Sequence, residues 1–457
     1  MHAPPVRAAA PFRTAAAALV LVGSLALASC SNVAEVYREL EADVAGGNYL
    51  RAIQVVRANS SVYGEKARVL YNLDLGLLYH YAGYPDSSSR YLFTAEREIQ
   101  DLYTKSISLA AISFLTNDNV LPYDGEDFEK VMINAFLALN YAQKGEADEA
   151  LVEARKVDLK LRELSREYQG KNRYQEDAFV RYLAGVLYET GGELNDAFIS
   201  YRKALEAYGT YAREFGTPAP HCLLDDLVRT AAVMGFEEDA RRYEQLGGRP
   251  FAEADRNLGS ILVVAYAGRG PVKQEVRPSV TVADSAGTLH TFQIALPKFV
   301  PRMKGVRTFH VRAQRASASP AAEPEASGTT QLAQNLTAIA EKCLDDRLTL
   351  VYLKSGGRAL LKFLAAEKAK AELKKKDDKL TNLLGSLAVD LAVGASEQAD
   401  LRAWGTLPAQ IQLARLSLPP GIYTVSVRAS DGGREVASDS VAVRPGKTEF
   451  VIVDDIR

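Results

Sequence analysis

The sequence predicts a multidomain α+β protein, in which an N-terminal all-α superhelix is followed by a β-sandwich-like domain with a helical insertion. Two observations predict it. From Val33 to about Gly248, apolar residues recur at the three- and four-residue spacing of amphipathic helices, interrupted by glycine-containing turns. After Pro250 the pattern changes to alternating and β-branched runs, which begin with Ile261-Leu262-Val263-Val264.

The first 29 residues indicate an export signal. Two arginines precede an apolar run from Ala15 to Ala26, which is too short to span a membrane. The run leads into Leu27-Ala28-Ser29-Cys30, which resembles the bacterial lipobox, where a small residue precedes an invariant cysteine. This resemblance implies that residues 1–29 are removed and that Cys30 carries lipid. By the family's sorting rule, Ser31 implies anchoring to the outer membrane, with the protein facing the periplasm.

Composition limits the remaining possibilities. The formal net charge is −2 at pH 7, which gives no indication of nucleic-acid binding. After Cys30 no apolar stretch reaches the length of a spanning helix. Cys222 and Cys343 fall in different predicted domains, and whether they form a disulfide is left open.

The helical part contains an internal repeat. Three segments share a small residue, a tyrosine three positions later, and small or aromatic residues in the next helix. The matching positions are Gly76 and Tyr79; Ala138, Tyr141 and Ala150; and Gly185, Tyr188, Ala197 and Tyr201. This resembles the tetratricopeptide repeat (TPR), a helix–turn–helix unit whose small residues let paired helices approach closely. The resemblance predicts a TPR-like domain over residues 30–250, made irregular by insertions between units.

The same resemblance implies a binding surface. In the tetratricopeptide family, ligands bind a concave face formed by the first helix of each pair. Asn72, Asn134 and Arg181 each stand four residues before the small position, and we expect them on this face, outside the core. Amide and guanidinium groups can hydrogen-bond a peptide backbone or a carboxylate without a deep pocket. The alternative is that they solvate the groove or cap insertion helices.

Residues 258–457 read as a β-rich, sandwich-like domain. Segment 312–330 is rich in Ala, Ser, Pro and Glu, which predicts a disordered loop, and residues 331–399 predict a helical insertion. Within the insertion, residues 362–395 join a lysine-rich half to an apolar half. Packing on the sandwich, a subunit interface and contact with an anionic membrane surface all remain open for this segment. Leu418–Tyr423 resembles the strand entry of transthyretin-like and other small β-sandwich domains.

The spacing of the candidate residues does not match any catalytic motif. The four histidines after the signal are scattered singly, without the spacing of metal ligands. His221 stands beside Cys222, but neighbours in sequence point apart on a helix or strand, and a loop-to-helix junction after Pro218-Ala219-Pro220 explains the pair. We therefore predict a protein that is not an enzyme and has no metal or cofactor.

Taken together, the chain resembles a family of uncharacterised Gram-negative lipoproteins with degenerate TPR-like repeats and a C-terminal β-rich domain. The matching segments are Asn119–Lys130, Leu137–Ala150, Gly268–Lys273 and Ala399–Pro408. No activity is established for this family. Its genes often lie beside one for a lipoprotein activator of a peptidoglycan synthase, which implies a protein partner in the cell envelope, with the peptidoglycan-synthesis machinery as a candidate.

Two functional hypotheses follow. The first is a periplasmic scaffold for protein–protein interaction, anchored to the outer membrane by lipid on Cys30. The alternative is a peptidoglycan- or glycan-binding protein, enzymatic forms included, that acts through the β-domain. An open groove lined by Tyr and Asn would favour the first, and an aromatic cluster beside paired carboxylates in one pocket would favour the second.

Overall fold

A computed structural model of the chain describes residues 33–115, 121–283, 289–316, 325–348 and 398–456. Cys30 and residues 362–395 lie outside the described residues, so the expectations for them remain predictions. Within the described ranges, no helix combines the length and the hydrophobicity that a transmembrane span requires.

The helical part consists of consecutive helix pairs. Its helices are α1 (Val33–Ala45), α2 (Tyr49–Ala58), the single turn α3 (Ser60–Tyr63), α4 (Arg68–Tyr81), α5 (Pro85–Leu115), α6 (Asp127–Gln143), α7 (Ala147–Glu167), α8 (Ala178–Gly191), α9 (Leu194–Glu214), α10 (His221–Val233) and α11 (Glu237–Gln245). The pairs are α1–α2, α4–α5, α6–α7, α8–α9 and α10–α11, and each pair packs together. A glycine with positive φ lies in the turn of every one of these described pairs, for example Gly192 at 88°. This conformation ends the first helix and reverses the chain at little steric cost.

The β-rich part contains two four-stranded sheets. Its strands are β1 (Gly259–Arg269), β2 (Val272–Val276), β3 (Ser279–Ala283), β4 (Leu289–Gln293), β5 (Leu296–Val300), β6 (Phe309–Arg315), β7 (Ala326–Thr329), β8 (Gln331–Asn335), β9 (Pro408–Leu418), β10 (Gly421–Ala429), β11 (Glu435–Val443) and β12 (Thr448–Asp455). The first sheet has the order β12-β1-β9-β8, and β1 runs parallel to β12 and antiparallel to β9. The second has the order β11-β10-β6-β7 and is antiparallel throughout. Strands β2 and β5, and strands β3 and β4, form two-stranded ladders.

The first sheet is the middle layer of the molecule. Ile261 and Val263 of β1 pack against the second sheet, while the alternate residues Leu262 and Val264 belong to the apolar core shared with the helices. Since both faces of β1 are buried, its sequence is almost continuously apolar, as is typical of strands covered on both sides. The predicted fold class, a TPR-like helical part followed by a sandwich-like part, is therefore confirmed. One apolar core nevertheless crosses the boundary predicted at residues 250–258.

Two of the predicted boundaries need correction. Residues 312–315 belong to β6 and Ala326–Thr329 forms β7, which pairs with β6, so the predicted loop 312–330 is strand at both ends. Residues 331–335, predicted as helix, form β8, and the helix that follows (α12) covers 336–348. Neither β7 nor β8 carries the alternating β-branched pattern of a strand. Both lie at sheet edges, where pairing with β6 or β9 imposes the extended conformation that the local sequence does not predict.

Candidate functional site

The candidate site is the inner face, which we define as the side of the helical part formed by the first helices α4, α6, α8 and α10. It is not an open groove, because the first sheet of the same chain covers it. Strand β12 packs on α6 and α8. His80 of α4 places Nε2 2.8 Å from the hydroxyl of Tyr266 in β1 and Nδ1 2.6 Å from Oδ1 of Asn140 in α6. Burial lowers the pKa of His80 to about 4, so its imidazole is neutral at pH 7.

Four buried carboxylates follow one another along the inner face. They are Asp74, Glu129, Asp177 and Asp226, one from each successive helix pair after the first. Each accepts a hydrogen bond from a tyrosine hydroxyl of the helical part: Tyr63, Tyr123, Tyr174 and Tyr182 respectively. The inner face thus carries an acceptor at each pair, held in place by its own tyrosine.

Each of these carboxylates also binds one group from the β-rich part. The Thr406 hydroxyl donates to Asp74 at 2.9 Å, the Trp404 amide to Glu129 at 2.7 Å, the Gln334 side chain to Asp177 at 2.7 Å, and Arg415 pairs with Asp226 at 2.7 Å. A carboxylate inside a protein is costly unless its oxygens are hydrogen-bonded. The helical part therefore holds the chain's own C-terminal region in the way that a repeat array would hold a ligand.

Three of the segments that carry the family resemblance meet at this face. Glu126 and Glu129 come from the first segment, Lys273 from the segment Gly268–Lys273 that leads into β2, and Arg402 and Trp404 from the last. The Lys273 ammonium forms an ion pair with Glu126 and donates to the Arg402 carbonyl at 2.9 Å. The Lys273 side chain is only 2% exposed, so this cluster joins the two parts of the chain and is closed to a substrate.

Charge is distributed unevenly within this cluster. Burial raises the pKa of Glu126, but the cations of Arg347 and Lys273 outweigh that effect and lower it to about 2. Burial and the neighbouring Glu126 raise the pKa of Glu129 to about 7. One carboxylate is thus fixed as an anion, while the other lies close to its titration point at neutral pH.

The three residues predicted to line the groove lie elsewhere, and this placement is a correction. Asn134 is fully buried and donates to Glu153 at 2.7 Å and to Glu96 at 3.0 Å, both on second helices. Asn72 is also buried and donates to Glu98 on α5 at 2.9 Å. Arg181 forms ion pairs with Asp158 and Glu176. The repeat alignment assigns these three residues to equivalent positions of their helices. In the structure those positions face the neighbouring helices and not the inner face.

The small residues of the repeat lie where paired helices meet. A Cβ on Gly76 would come within 2.6 Å of Leu92, and a Cβ on Gly185 would collide with the ring of Tyr201. Ala138, Ala150, Ala197 and Tyr201 are all fully buried. Tyr79, Tyr141 and Tyr188 are half-buried, and each carries a cation over its ring: Arg57 at 5.7 Å, Lys144 at 5.5 Å and Arg155 at 5.4 Å.

The first two helix pairs carry a surface that sequence reasoning missed, formed by side chains that contact one another. We call it the aromatic patch, formed by Arg57, Tyr79, Tyr84, Arg90 and Tyr91. The rings of Tyr79 and Tyr91 stack at 5.6 Å, Tyr84 meets Tyr79 edge-on at 6.3 Å, and Arg57 donates to the Tyr91 hydroxyl. Half of Tyr84 is exposed. The close sequence spacing of these tyrosines was a signal, but the contribution of Arg57 from α2 is visible only in the fold.

The His221–Cys222 pair lies at the start of a helix. His221 and Cys222 open α10, as expected for a loop-to-helix junction after Pro220. Burial raises the pKa of Cys222 to about 12, so the thiol is protonated at neutral pH. Cys222 and Cys343 are both free thiols. In the part of the chain that the structure describes, no three His, Cys, Asp or Glu side chains are placed to hold a metal ion.

Comparison with known proteins gives no family. No family model and no curated protein matches the chain. Among solved structures, it is similar to the apo form of RapI, with 17% identity and a TM-score of 0.34 over 46% of this chain and 67% of that one. It is also similar to MamA AMB-1, with 19% identity and a TM-score of 0.29 over 46% of this chain and 87% of that one. A Podospora anserina putative kinesin light chain with TPR-like repeats matches with 13% identity and a TM-score of 0.31 over 47% of this chain and 92% of that one. Because these TM-scores are all below 0.5, the helix pairs of the chain itself define its fold.

Proposed function

We propose that this protein is a lipid-anchored scaffold of the cell envelope, which sits on the outer membrane, faces the periplasm and binds a protein partner through the aromatic patch. The observation that carries the proposal is the division of the helical surface. The inner face is used by the chain's own sheet, whereas the aromatic patch leaves the Tyr84 ring and the Arg57 and Arg90 side chains in contact with solvent.

The chemistry of the patch suits a protein partner. Tyrosine and arginine, together with tryptophan, are enriched at the energetic centres of protein interfaces. Contacts among Tyr79, Tyr84 and Tyr91 already fix the rings, so binding would cost little side-chain entropy. Within the described residues, neither Arg57 nor Arg90 has a carboxylate partner, and this favours a partner segment that carries carboxylates.

The proposed anchor would restrict where this surface lies. Cys30 and Val33, the first residue of α1, are three residues apart, a length of chain that spans at most about 11 Å. Acylation of Cys30 would therefore hold the first helix pair close to the membrane surface. The partner would be an envelope protein within reach of the outer membrane, and peptidoglycan-synthesis proteins are the first to test.

The glycan-binding alternative has less support. It requires aromatic side chains beside paired carboxylates in one pocket. The pocket between the sandwich and the last helix pairs is instead lined by five cationic side chains and a single aromatic one, Phe251. We therefore propose the scaffold as the function.

The experiment is site-specific photo-crosslinking in living cells. A crosslinking amino acid at position 84 should capture one envelope protein, identified by mass spectrometry. The same amino acid at position 152, a valine of equal exposure on α7, should not capture it. Arg57→Gln combined with Arg90→Gln should abolish the product. Capture at both positions, or capture that survives the double substitution, would rule out the patch as the binding surface.

The anchor is tested separately with Cys30→Ala. Metabolic labelling with a fatty acid should tag the natural protein and leave the variant unlabelled, because the lipid chains are attached to that sulfur. Equal labelling of the two proteins would contradict the lipoprotein assignment while leaving the patch proposal standing.

A further inference from the structure

A cleft of about 240 Å³ opens where the first sheet meets the last helix pairs. We call it the junction cleft. Its walls come from α8, α9 and α10, from the connector around residues 249–258, and from the ends of β1, β9 and β12. It lies far along the chain from the aromatic patch and has no part in the proposed function.

The floor of the cleft is a fixed polar surface. The Arg415 side chain, 6% exposed, forms ion pairs with Glu189 and Asp226. It also donates to the Ser260 hydroxyl at 3.0 Å and the Thr448 hydroxyl at 2.9 Å. Because these contacts satisfy the guanidinium from several directions, the floor is organised before any ligand enters.

The mouth of the cleft is cationic. Arg249 forms an ion pair with Asp255, and Arg256 pairs with Glu253, which does not line the cleft. The Lys447 ammonium donates to the Thr190 carbonyl at 2.6 Å and, within the described residues, has no carboxylate partner. Five cations and two carboxylates line the cleft, and Asp226 and Glu253 beside it form ion pairs with three of those cations. The positive charge that is left for a ligand is therefore centred on the Lys447 ammonium at the mouth.

An apolar wall completes the cleft. Val233, Phe251 and Leu258 line it beside the cations. A pocket that combines such a wall with a few convergent polar groups is typical of small-molecule sites. The volume lies below the roughly 300 Å³ at which pockets for drug-sized ligands begin, so the ligand must be small.

We propose that the junction cleft binds a small organic anion. Its carboxylate or phosphate group is held by Lys447 and Arg256 at the mouth, and its apolar portion lies on Phe251. Since the lining comes from both parts of the chain, the bound anion also stabilises the contact between the helices and the sandwich.

The test uses calorimetric titration of the full mature protein with phenyl phosphate, benzoate, inorganic phosphate and phenol. We expect binding of phenyl phosphate or benzoate, weaker binding of inorganic phosphate, and none of phenol. The relative affinity of the first two probes identifies the head group. Failure of both, or binding of phenol as tight as that of the anions, would overturn the proposal.

Variants then locate the binding. Lys447→Gln combined with Arg256→Gln should weaken binding of the organic anion at least about tenfold. Arg38→Gln combined with Arg241→Gln, which removes two exposed charges outside the cleft, should leave it unchanged. Phe251→Ala should weaken phenyl phosphate but not inorganic phosphate. Equal loss in both double variants would show a non-specific charge effect and exclude the cleft as the site.

Discussion

The backbone amide of Trp404 donates a hydrogen bond to Oε1 of Glu129 at 2.7 Å, although 275 positions separate the two residues. The indole itself is buried against Phe136 of α6, with ring centroids 5.9 Å apart. A short segment before β9 thus fills the inner face of the helical part.

The first prediction concerns the segment that fills the inner face. Trp404→Ala should lower the free energy of unfolding by about 3 to 5 kcal/mol, because it leaves a large cavity between helices and sheet. Leu401→Ala, three positions away and 44% exposed, should cost less than about 1 kcal/mol. Urea unfolding followed by circular dichroism measures both. Similar small losses would mean that Trp404 does not join the two parts.

The second prediction concerns pH. Burial raises the pKa of Asp74 to about 7, even though Tyr63, Thr406 and Tyr37 all donate to it. A carboxyl with a raised pKa stabilises the fold while it is protonated, so this contribution is lost as the pH rises from about 4 through 7. Asp74→Asn does not titrate. The free energy of unfolding of Asp74→Asn minus that of the natural protein should therefore increase by on the order of 2 to 4 kcal/mol as the pH rises through that range.

His80 makes this comparison between the two proteins necessary. Because burial lowers its pKa to about 4, His80 acts in the opposite direction and costs stability as the pH falls from about 6.5 towards 4. Subtracting the unfolding free energies of the two proteins at each pH removes the histidine contribution. A difference that stays constant from pH 5 to about pH 8 would contradict the raised pKa of Asp74.

The third prediction concerns Asn134, first expected on an open groove. Asn134→Ala would remove the amide that donates to both Glu96 and Glu153 and leave each buried carboxylate with its lysine contacts alone, so we expect a loss of about 1 to 3 kcal/mol in unfolding free energy. Asn195→Ala, at an exposed position of α9, serves as the control and should change stability by less than about 0.5 kcal/mol. If Asn134→Ala were equally silent, the buried placement would be wrong.

The fourth prediction concerns the repeat register. Ala150 and Ala197 are fully buried where helices of one pair meet, and replacing either by Leu should cost about 1 to 3 kcal/mol by overpacking. The same change at exposed Ala42 on α1 should be nearly neutral. Thermal unfolding of the three variants provides the measurement. Equal melting temperatures would show that the small positions do not mark the helix crossings.

Local sequence was sufficient for the helix pairs. Amphipathic spacing and the turn glycines predicted the consecutive helices, and the small residues Gly76 and Gly185 lie against Leu92 and Tyr201 in the second helix of each pair. The strands β7 and β8 could not be predicted in the same way. Their residues have weak strand preferences, and their conformation depends on pairing with β6 and β9, which are brought alongside by the fold.

The sequence by itself determined which sides of the helices are apolar and where the chain changes from helices to strands, because both depend on residues close together in the chain. Only the tertiary structure decided what covers the inner face. Asp74 and Glu129 look like surface carboxylates in the sequence, since their partners Thr406 and Trp404 lie 332 and 275 positions away. Periodicity identifies a buried side of a helix, but it carries no information on whether another protein or the same chain buries it.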